Sequence, residues 1–202
     1  MNYKAISFDY GGVVAGPTGA EFRQAVCDLF DITTEKFREV YFRHNTVMND
    51  GNMTYDELWT IFAQEIGRPE KTADLLKLVA EWPTHRKNEA VLALAEKLKA
   101  AGYKIGMLSN NNLANREIML KGGLDKIFNP LLVSSAIKAS KPWPEAYKIF
   151  AEKIGCPPAE IIFIDDSEKN ITAARELGFA GIVFRNYQSL ITELADLRVR
   201  LE

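Results

Sequence analysis

The sequence has little of what marks secreted, membrane or nucleic-acid-binding proteins. It contains two cysteines, Cys27 and Cys156, which lie far apart and outside any metal-binding or CxxC spacing. No apolar run approaches the roughly 20 residues that a bilayer crossing needs. The N-terminal segment MNYKAISFDYGG lacks the basic stretch and apolar core of a signal peptide. We therefore expect a reduced, cytoplasmic protein without a membrane partner.

Charge is equally unremarkable. The 25 basic residues nearly balance the 27 acidic ones, which leaves a formal net charge of −2. The sequence has no long run of basic residues that could bind the phosphates of a nucleic acid, so we expect no such partner. With 202 residues and 47% hydrophobic content, the chain is long enough for one sizeable core with a small lid.

Five short apolar runs predict strands that are covered on both faces, because each is nearly continuous rather than alternating. They span residues 4–8, 103–108, 131–134, 161–164 and 181–184. Helical patterns lie between the later runs, each followed by a glycine that would end the helix. These patterns span residues 88–101, 144–154 and 168–177. The alternation predicts an α/β fold with a Rossmann-like, doubly wound parallel sheet.

The stretch after the first predicted strand differs, with helical patterns and no convincing strand. The patterns span residues 19–30, 33–42, 55–66 and 71–82. Thr54 and Glu57 form a capping-box pattern before the third. We predict a core domain of residues 1–15 and 86–202 and a helical cap domain of residues 16–85. Because open α/β sheets bind ligands beyond the carboxyl ends of their strands, we expect the cap to lie over the site.

Polar residues follow the predicted strands at that edge of the sheet. They are Asp9, Ser109, Asn110, Lys141, Asp165 and Asp166. Singly, each has an ordinary explanation as a turn residue, a helix cap or a surface lysine. Together, three converging carboxylates would repel one another unless a cation held them, and oxygen ligands suit Mg²⁺. A lysine and a hydroxyl beside that metal suit a phosphoryl group, whose charge must be spread during transfer.

Four segments carry a resemblance to a known family. FDYGG (8–12), LSN (108–110), SKPWPEAY (140–147) and FIDDSEKN (163–170) resemble, in order, the four motifs of the haloacid dehalogenase superfamily. The resemblance covers nearly the whole chain, including a small helical cap of the type found in subfamily IA. It implies a Mg²⁺-dependent phosphatase acting on a small phosphorylated metabolite, such as a sugar phosphate.

The resemblance also implies roles for individual residues. Asp9 would be the nucleophile that forms an aspartyl-phosphate, and Lys141 would neutralise charge between Asp9 and the phosphate. Ser109, Asn110 and Lys141 would bind the phosphoryl group.

Mg²⁺ would be held by the carboxylates of Asp9 and Asp166 and by the backbone carbonyl of Gly11. Asp165 would act largely through a bound water, and Asn170 would orient the acidic loop.

One position departs from the family pattern. Many phosphatases of the superfamily carry a second aspartate two residues after the nucleophile, where it protonates the leaving group, but this chain has Gly11 there. His44 or His85 is a hypothetical replacement for that acid. Two alternatives stay open: a 2-haloacid dehalogenase that uses the same aspartate, and a non-catalytic protein that binds a phosphorylated ligand. The sequence also leaves open a monomer or a homodimer.

Overall fold

A computed structural model describes residues 3–16, 19–49, 53–83 and 86–200 of the protein. The strands are β1 (Ala5–Phe8), β2 (Lys104–Ser109), β3 (Leu131–Val133), β4 (Ile161–Asp165) and β5 (Ala180–Val183). The helices are α1 (Gly19–Phe30), α2 (Thr34–Asn49), α3 (Tyr55–Glu65), α4 (Thr72–Glu81), α5 (Glu89–Ala100), α6 (Leu113–Lys121), α7 (Ser134–Ile137), α8 (Pro144–Ile154), α9 (Glu168–Glu176) and α10 (Tyr187–Asp196). Short 3₁₀ turns occupy Pro69–Lys71, Leu124–Lys126 and Pro158–Glu160.

The five strands form one parallel sheet in the order β3-β2-β1-β4-β5. This arrangement confirms the predicted α/β fold. β1 lies at the centre, with Phe8 paired to Met107 of β2 and to Ile164 of β4. The residue that follows β1 therefore emerges between the carboxyl ends of its two neighbours, where open α/β sheets place their ligands.

The sheet is buried on both faces. Ile6 and Phe8 belong to one apolar cluster, which α5 and α10 cover. Ala5 and Phe163 belong to a second cluster on the opposite face, which α8 and α9 cover. Successive side chains of a strand point to opposite faces of the sheet. Odd-numbered and even-numbered strand residues must therefore both be largely apolar. That requirement explains the continuous apolar runs in the sequence.

Helices α1 to α4 have an apolar cluster of their own, with Phe30, Trp59 and Phe62 fully buried in it. The predicted capping box is confirmed: the Thr54 hydroxyl accepts from Glu57 N at 3.2 Å, and the Glu57 carboxylate accepts from Thr54 N at 2.8 Å. We refer to the unit formed by α1 to α4 as the cap.

Both connections between the cap and the sheet lie side by side. Gly16 N donates to Arg86 O at 2.8 Å, and Asn88 N donates to Val14 O at 2.8 Å. The cap is therefore attached at one place, next to the end of β1.

The structure corrects three local expectations. α2 continues to Asn49, so the predicted end at residue 42 is wrong. α6 was not predicted, because Met119 is its one buried residue and it lacks a clear apolar stripe. Ser109 does not cap that helix; Asn112 does, accepting from Asn115 N at 2.8 Å. Among the described segments, no helix combines the length and the apolar character that a membrane crossing requires.

Candidate active site

Asp9 is positioned by an extension of the β1–β4 ladder. Its backbone N donates to Ile164 O at 2.9 Å, one residue beyond the end of β1. This bond sets Asp9 beside Asp165, the last residue of β4. Both carboxylates are buried, with 8% of Asp9 and none of Asp165 exposed. Two adjacent buried negative charges need a counter-charge.

Lys141 supplies that counter-charge. Its Nζ lies 2.9 Å from Asp9 Oδ1 and 2.5 Å from Asp165 Oδ2, and 1% of its side chain is exposed. Burial lowers the pKa of Lys141, but the charges of Asp165 and Asp9 outweigh burial and raise it above its ordinary value of 10.5. The ammonium therefore stays charged at the base of the site.

Asn110 fixes the backbone of Lys141. Its Oδ1 accepts from Lys141 N at 2.8 Å, and its Nδ2 donates to Lys141 O at 2.7 Å. The sequence predicted a phosphoryl contact for Asn110, which stays a prediction. What the structure shows is a positioning role that joins the end of β2 to the loop before α8.

Asp165 is the most fully engaged side chain in the site. Oδ1 accepts from Ser167 N at 2.8 Å and from Asn170 Nδ2 at 3.0 Å. Oδ2 accepts from Lys141 Nζ at 2.5 Å and from Asn170 Nδ2 at 3.1 Å. Asn170 thus orients the acidic loop, as the family resemblance implied. The anchoring of Lys141 by Asp165 was not predicted, and the indirect role of Asp165 at a metal stays a prediction.

Three carboxylates converge here. One oxygen from each of Asp9, Asp165 and Asp166 lies within 4.8 Å of the others. Burial raises the pKa of Asp9 to about 7; Lys141 opposes this rise, and Asp165 and Asp166 add to it. Although Lys141 Nζ is near, no well-aligned hydrogen-bond donor meets the buried Asp9 Oδ1 among the described residues. Hard oxygen ligands so arranged fit a divalent cation such as Mg²⁺.

A cavity of about 590 Å³ opens above these residues. Asp9, Gly11, Ser109, Lys141 and Asp166 line its floor. The fully buried Asp165 lies outside the described lining. The structure therefore gathers the other predicted site residues, Asn110 included, around one space.

The opposite wall of the cavity comes from the cap and carries aromatic rings that the sequence reasoning did not assign to the site. In the sequence, aromatic residues on a cap helix look the same whether they pack within the cap or border a cavity. His44 does not line the cavity among the described residues, and its Nε2 lies 2.7 Å from Glu65 Oε1. The structure thus places it on Glu65, outside the described cavity lining. His85 lies outside the described residues.

The chain resembles proteins with two different activities. A family model for haloacid dehalogenase-like hydrolases matches residues 3–178. The (S)-2-haloacid dehalogenase 4A of Burkholderia cepacia is 33% identical over 85 residues, which are 42% of this chain and 37% of that protein. Phosphatase MT3486 of Mycobacterium tuberculosis is 27% identical over 210 residues, which are 98% of this chain and 94% of that protein. The chain thus spans little more than a third of the dehalogenase.

A solved structure shares the architecture. A HAD family enzyme from Bacteroides thetaiotaomicron, in complex with magnesium and inorganic phosphate, superposes with a TM-score of 0.61 at 23% identity, over 94% of this chain and 99% of that one. At this identity the likeness bears on the fold. The family model, by contrast, covers most of the chain. The protein is therefore a member of the haloacid dehalogenase-like hydrolases.

Proposed function

We propose that the chain is a Mg²⁺-dependent phosphatase that hydrolyses a small phosphorylated metabolite through an aspartyl-phosphate on Asp9. The observation that carries this proposal is the buried Lys141 ammonium, which contacts Asp9 beneath a cavity whose floor holds the acidic cluster. A phosphate ester brings the negative charge that an ammonium and a carboxylate-bound cation would balance.

In the first half-reaction, an oxygen of Asp9 attacks phosphorus in line with the leaving group. The new bond joins Asp9 to phosphorus, the ester P–O bond breaks, and the leaving oxygen takes up a proton from solvent water. Lys141 offsets the negative charge of both the carboxylate and the phosphoryl oxygens. The Ser109 hydroxyl, on the floor of the same cavity, donates to a phosphoryl oxygen.

In the second half-reaction, water attacks phosphorus. The bond between phosphorus and Asp9 breaks, which releases inorganic phosphate and restores the carboxylate, and the proton of the attacking water passes to solvent. Gly11 offers no side chain to accept the proton of that water, and positioned acid–base help is worth about 10²–10⁴-fold. We therefore expect the first half-reaction to be slow with alcohol leaving groups and the second to be slow whatever the leaving group.

The residues fit a resident Mg²⁺ ion. Asp9, Asp166 and the Gly11 carbonyl would hold it. Asp165 would act on it largely through a bound water. Bound there, the ion would polarise the phosphoryl oxygens and neutralise the carboxylates. Without it, the acidic cluster would oppose the approach of an anionic substrate.

A 2-haloacid dehalogenase is the second candidate, because a relative of that activity matches part of the chain. Its organic acid substrate would need a cation for the carboxylate. Among the described residues that line the cavity, Lys141 is the one cation, and it already contacts Asp9 and Asp165. The acidic cluster also has a use in phosphoryl transfer and none in attack on carbon. We therefore favour the phosphatase.

The test is a parallel assay of phosphate and halide release, on phosphate esters and on chloroacetate-type acids, with Mg²⁺ or EDTA. We expect phosphate release that requires both Mg²⁺ and Asp9, so Asp9→Asn should lose it. Metal-independent halide release would establish the dehalogenase instead. Binding of phosphate esters with neither product would indicate the non-catalytic binding protein.

The proposal extends to the setting of the enzyme. We propose a cytoplasmic monomer or homodimer whose partner is its small-molecule substrate, in keeping with the near-neutral charge and the lack of a basic run. Light scattering of the purified protein distinguishes the two assembly states.

A further inference from the structure

The cap wall of the cavity is almost entirely aromatic. Six rings from α1 to α4 and their ends form it: Phe22, Tyr41, Phe42, Tyr55, Trp59 and Trp82. Val79 and Ala80 are the other described cap residues there. No described cap residue on this wall carries a charge. The cap therefore presents flat apolar surfaces to the group that lies beyond the phosphate.

These rings contact one another. Phe22 meets Trp82 edge to face at 5.2 Å between centroids and Trp59 at 5.4 Å. Tyr41 stacks on Trp59 at 5.3 Å and meets Phe42 at 5.4 Å. A wall fixed in advance lowers the entropy lost when a ligand orders its binding site.

The amide side chains on the floor of the cavity are largely used in folding the loop after β2. Asn111 Oδ1 accepts from Asn112 N at 3.0 Å and from Asn115 Nδ2 at 2.7 Å. Asn110 uses both ends of its amide on the backbone of Lys141. Few acceptor atoms are left to recognise the hydroxyls of a polyol.

The polar atoms of the wall are buried, which leaves ring carbons facing the cavity. The indole Nε1 of the buried Trp59 has no acceptor among the described residues. Burial also raises the pKa of the Tyr41 and Tyr55 hydroxyls, which keeps both protonated.

We propose that this enzyme selects phosphomonoesters whose leaving group carries a flat, uncharged aromatic or heteroaromatic ring. The inference rests on the proposed phosphatase function. The phosphoryl group lies on Asp9 and Lys141, and the ring packs against the cap wall at the exposed ring of Phe42, behind which Tyr41 and the buried Trp59 support the wall. A cavity of about 590 Å³ holds a phosphate and a ring together.

The test compares two esters with the same carbon skeleton. The leaving groups of benzyl phosphate and cyclohexylmethyl phosphate are both primary alcohols, but only the first has a flat ring. The saturated ring has slightly more apolar surface, so burial alone would favour it. Aromatic pairing instead predicts a preference for benzyl phosphate of about 2- to 12-fold in kcat/KM. A hexose 6-phosphate serves as the polyol comparison.

Binding is measured separately from turnover. Calorimetry with the Asp9→Asn variant reports affinity for the same three esters without hydrolysis, and we expect the same order. A melting curve checks that this variant is folded.

Two substitutions locate the preference. Phe42 and Tyr187 are both exposed aromatic residues, at 52% and 39%, but only Phe42 lines the cavity. Phe42→Leu should reduce the preference for benzyl phosphate by about 2-fold or more. Tyr187→Leu, at the start of α10 and outside the described cavity lining, should leave it unchanged.

The outcomes separate this inference from the proposed function. Phosphate release with equal or better use of the cyclohexylmethyl ester or the hexose phosphate would overturn ring selection and leave the phosphatase intact. Preferential binding of benzyl phosphate to Asp9→Asn, with no phosphate released by the wild type from any ester, would overturn the phosphatase and leave ring selection intact. An unchanged preference in Phe42→Leu would contradict the role of the wall.

Discussion

Replacing Gly11 by aspartate would test whether the lack of an acid limits the rate. A Cβ added to Gly11 meets no heavy atom within 4 Å, and Gly11 is exposed on the cavity floor. Its φ lies outside the left-handed region, so a side chain brings no backbone strain. The substitution therefore adds a carboxyl group to the site without displacing its neighbours.

The expected gain depends on the leaving group. Positioned general acid–base catalysis is worth about 10²–10⁴-fold. A carboxyl that evolution has not tuned to this site should reach the lower end, so we expect Gly11→Asp to raise kcat for benzyl phosphate by about 10²-fold. With 4-nitrophenyl phosphate, whose leaving group needs no proton, the first half-reaction should gain little.

Gly11→Asn is the matched control, because it has the same shape but cannot exchange a proton. The assay is steady-state phosphate release from both esters across a pH series. Gly11→Asp should add a new ionisation to the pH profile that Gly11→Asn lacks. If the two variants are folded and equally active on benzyl phosphate, the reasoning about the missing acid is refuted.

Four further predictions concern stability. Lys141→Met leaves two buried carboxylates without their cation and should cost about 3–5 kcal/mol of unfolding free energy at pH 8; urea denaturation showing a loss below about 1 kcal/mol would contradict the pairing. Thr54→Ala should cost about 0.5–2 kcal/mol through the lost cap, seen as a lower Tm. Because hydrogen bonds from Thr54 hold the pKa of Glu57 below 4.5, Glu57→Ala should destabilise above that pH, and its effect should fade as pH falls further; a constant difference would argue against it. Gly106→Ala would set a Cβ 2.8 Å from the Phe150 ring and should cost about 1–3 kcal/mol by overpacking; an unchanged Tm would count against this.

Much of the fold could be predicted from the sequence because its signals are local. A continuous apolar run such as that of β4 (Ile161–Asp165) has few alternatives to a buried strand. The glycine after α8 lies in the left-handed conformation expected of a helix end, with φ of 65° at Gly155. α10 was overlooked although its signals were present, with Asn186 as N-cap and Leu190 and Leu194 one turn apart.

The site could be predicted as a set of residues but not as a network. Residues that follow parallel strands must share one edge of the sheet, which brings Asp9 and Asp166 together. The bond between Lys141 and Asp165 joins positions 24 residues apart. That bond depends on where the loop before α8 lies, which the hydrogen bonds from Asn110 to the Lys141 backbone help to set. No local sequence pattern predicts such a position.

The aromatic wall shows a second limit of sequence reasoning. A stripe such as Trp59 and Phe62 on α3 (Tyr55–Glu65) looks the same whether it packs within the cap or borders a cavity. The choice depends on how α1 to α4 assemble, and therefore on contacts across the whole unit.

The most direct test of the central claim is to look for the phosphoenzyme. Wild-type protein with Mg²⁺ and benzyl phosphate is quenched in acid during turnover, and its peptides are analysed by mass spectrometry. The account predicts one added phosphoryl group on the peptide that contains Asp9, and none in Asp9→Asn or in wild type with EDTA. Steady phosphate release by Asp9→Asn, or a phosphoryl group on another residue, would contradict it.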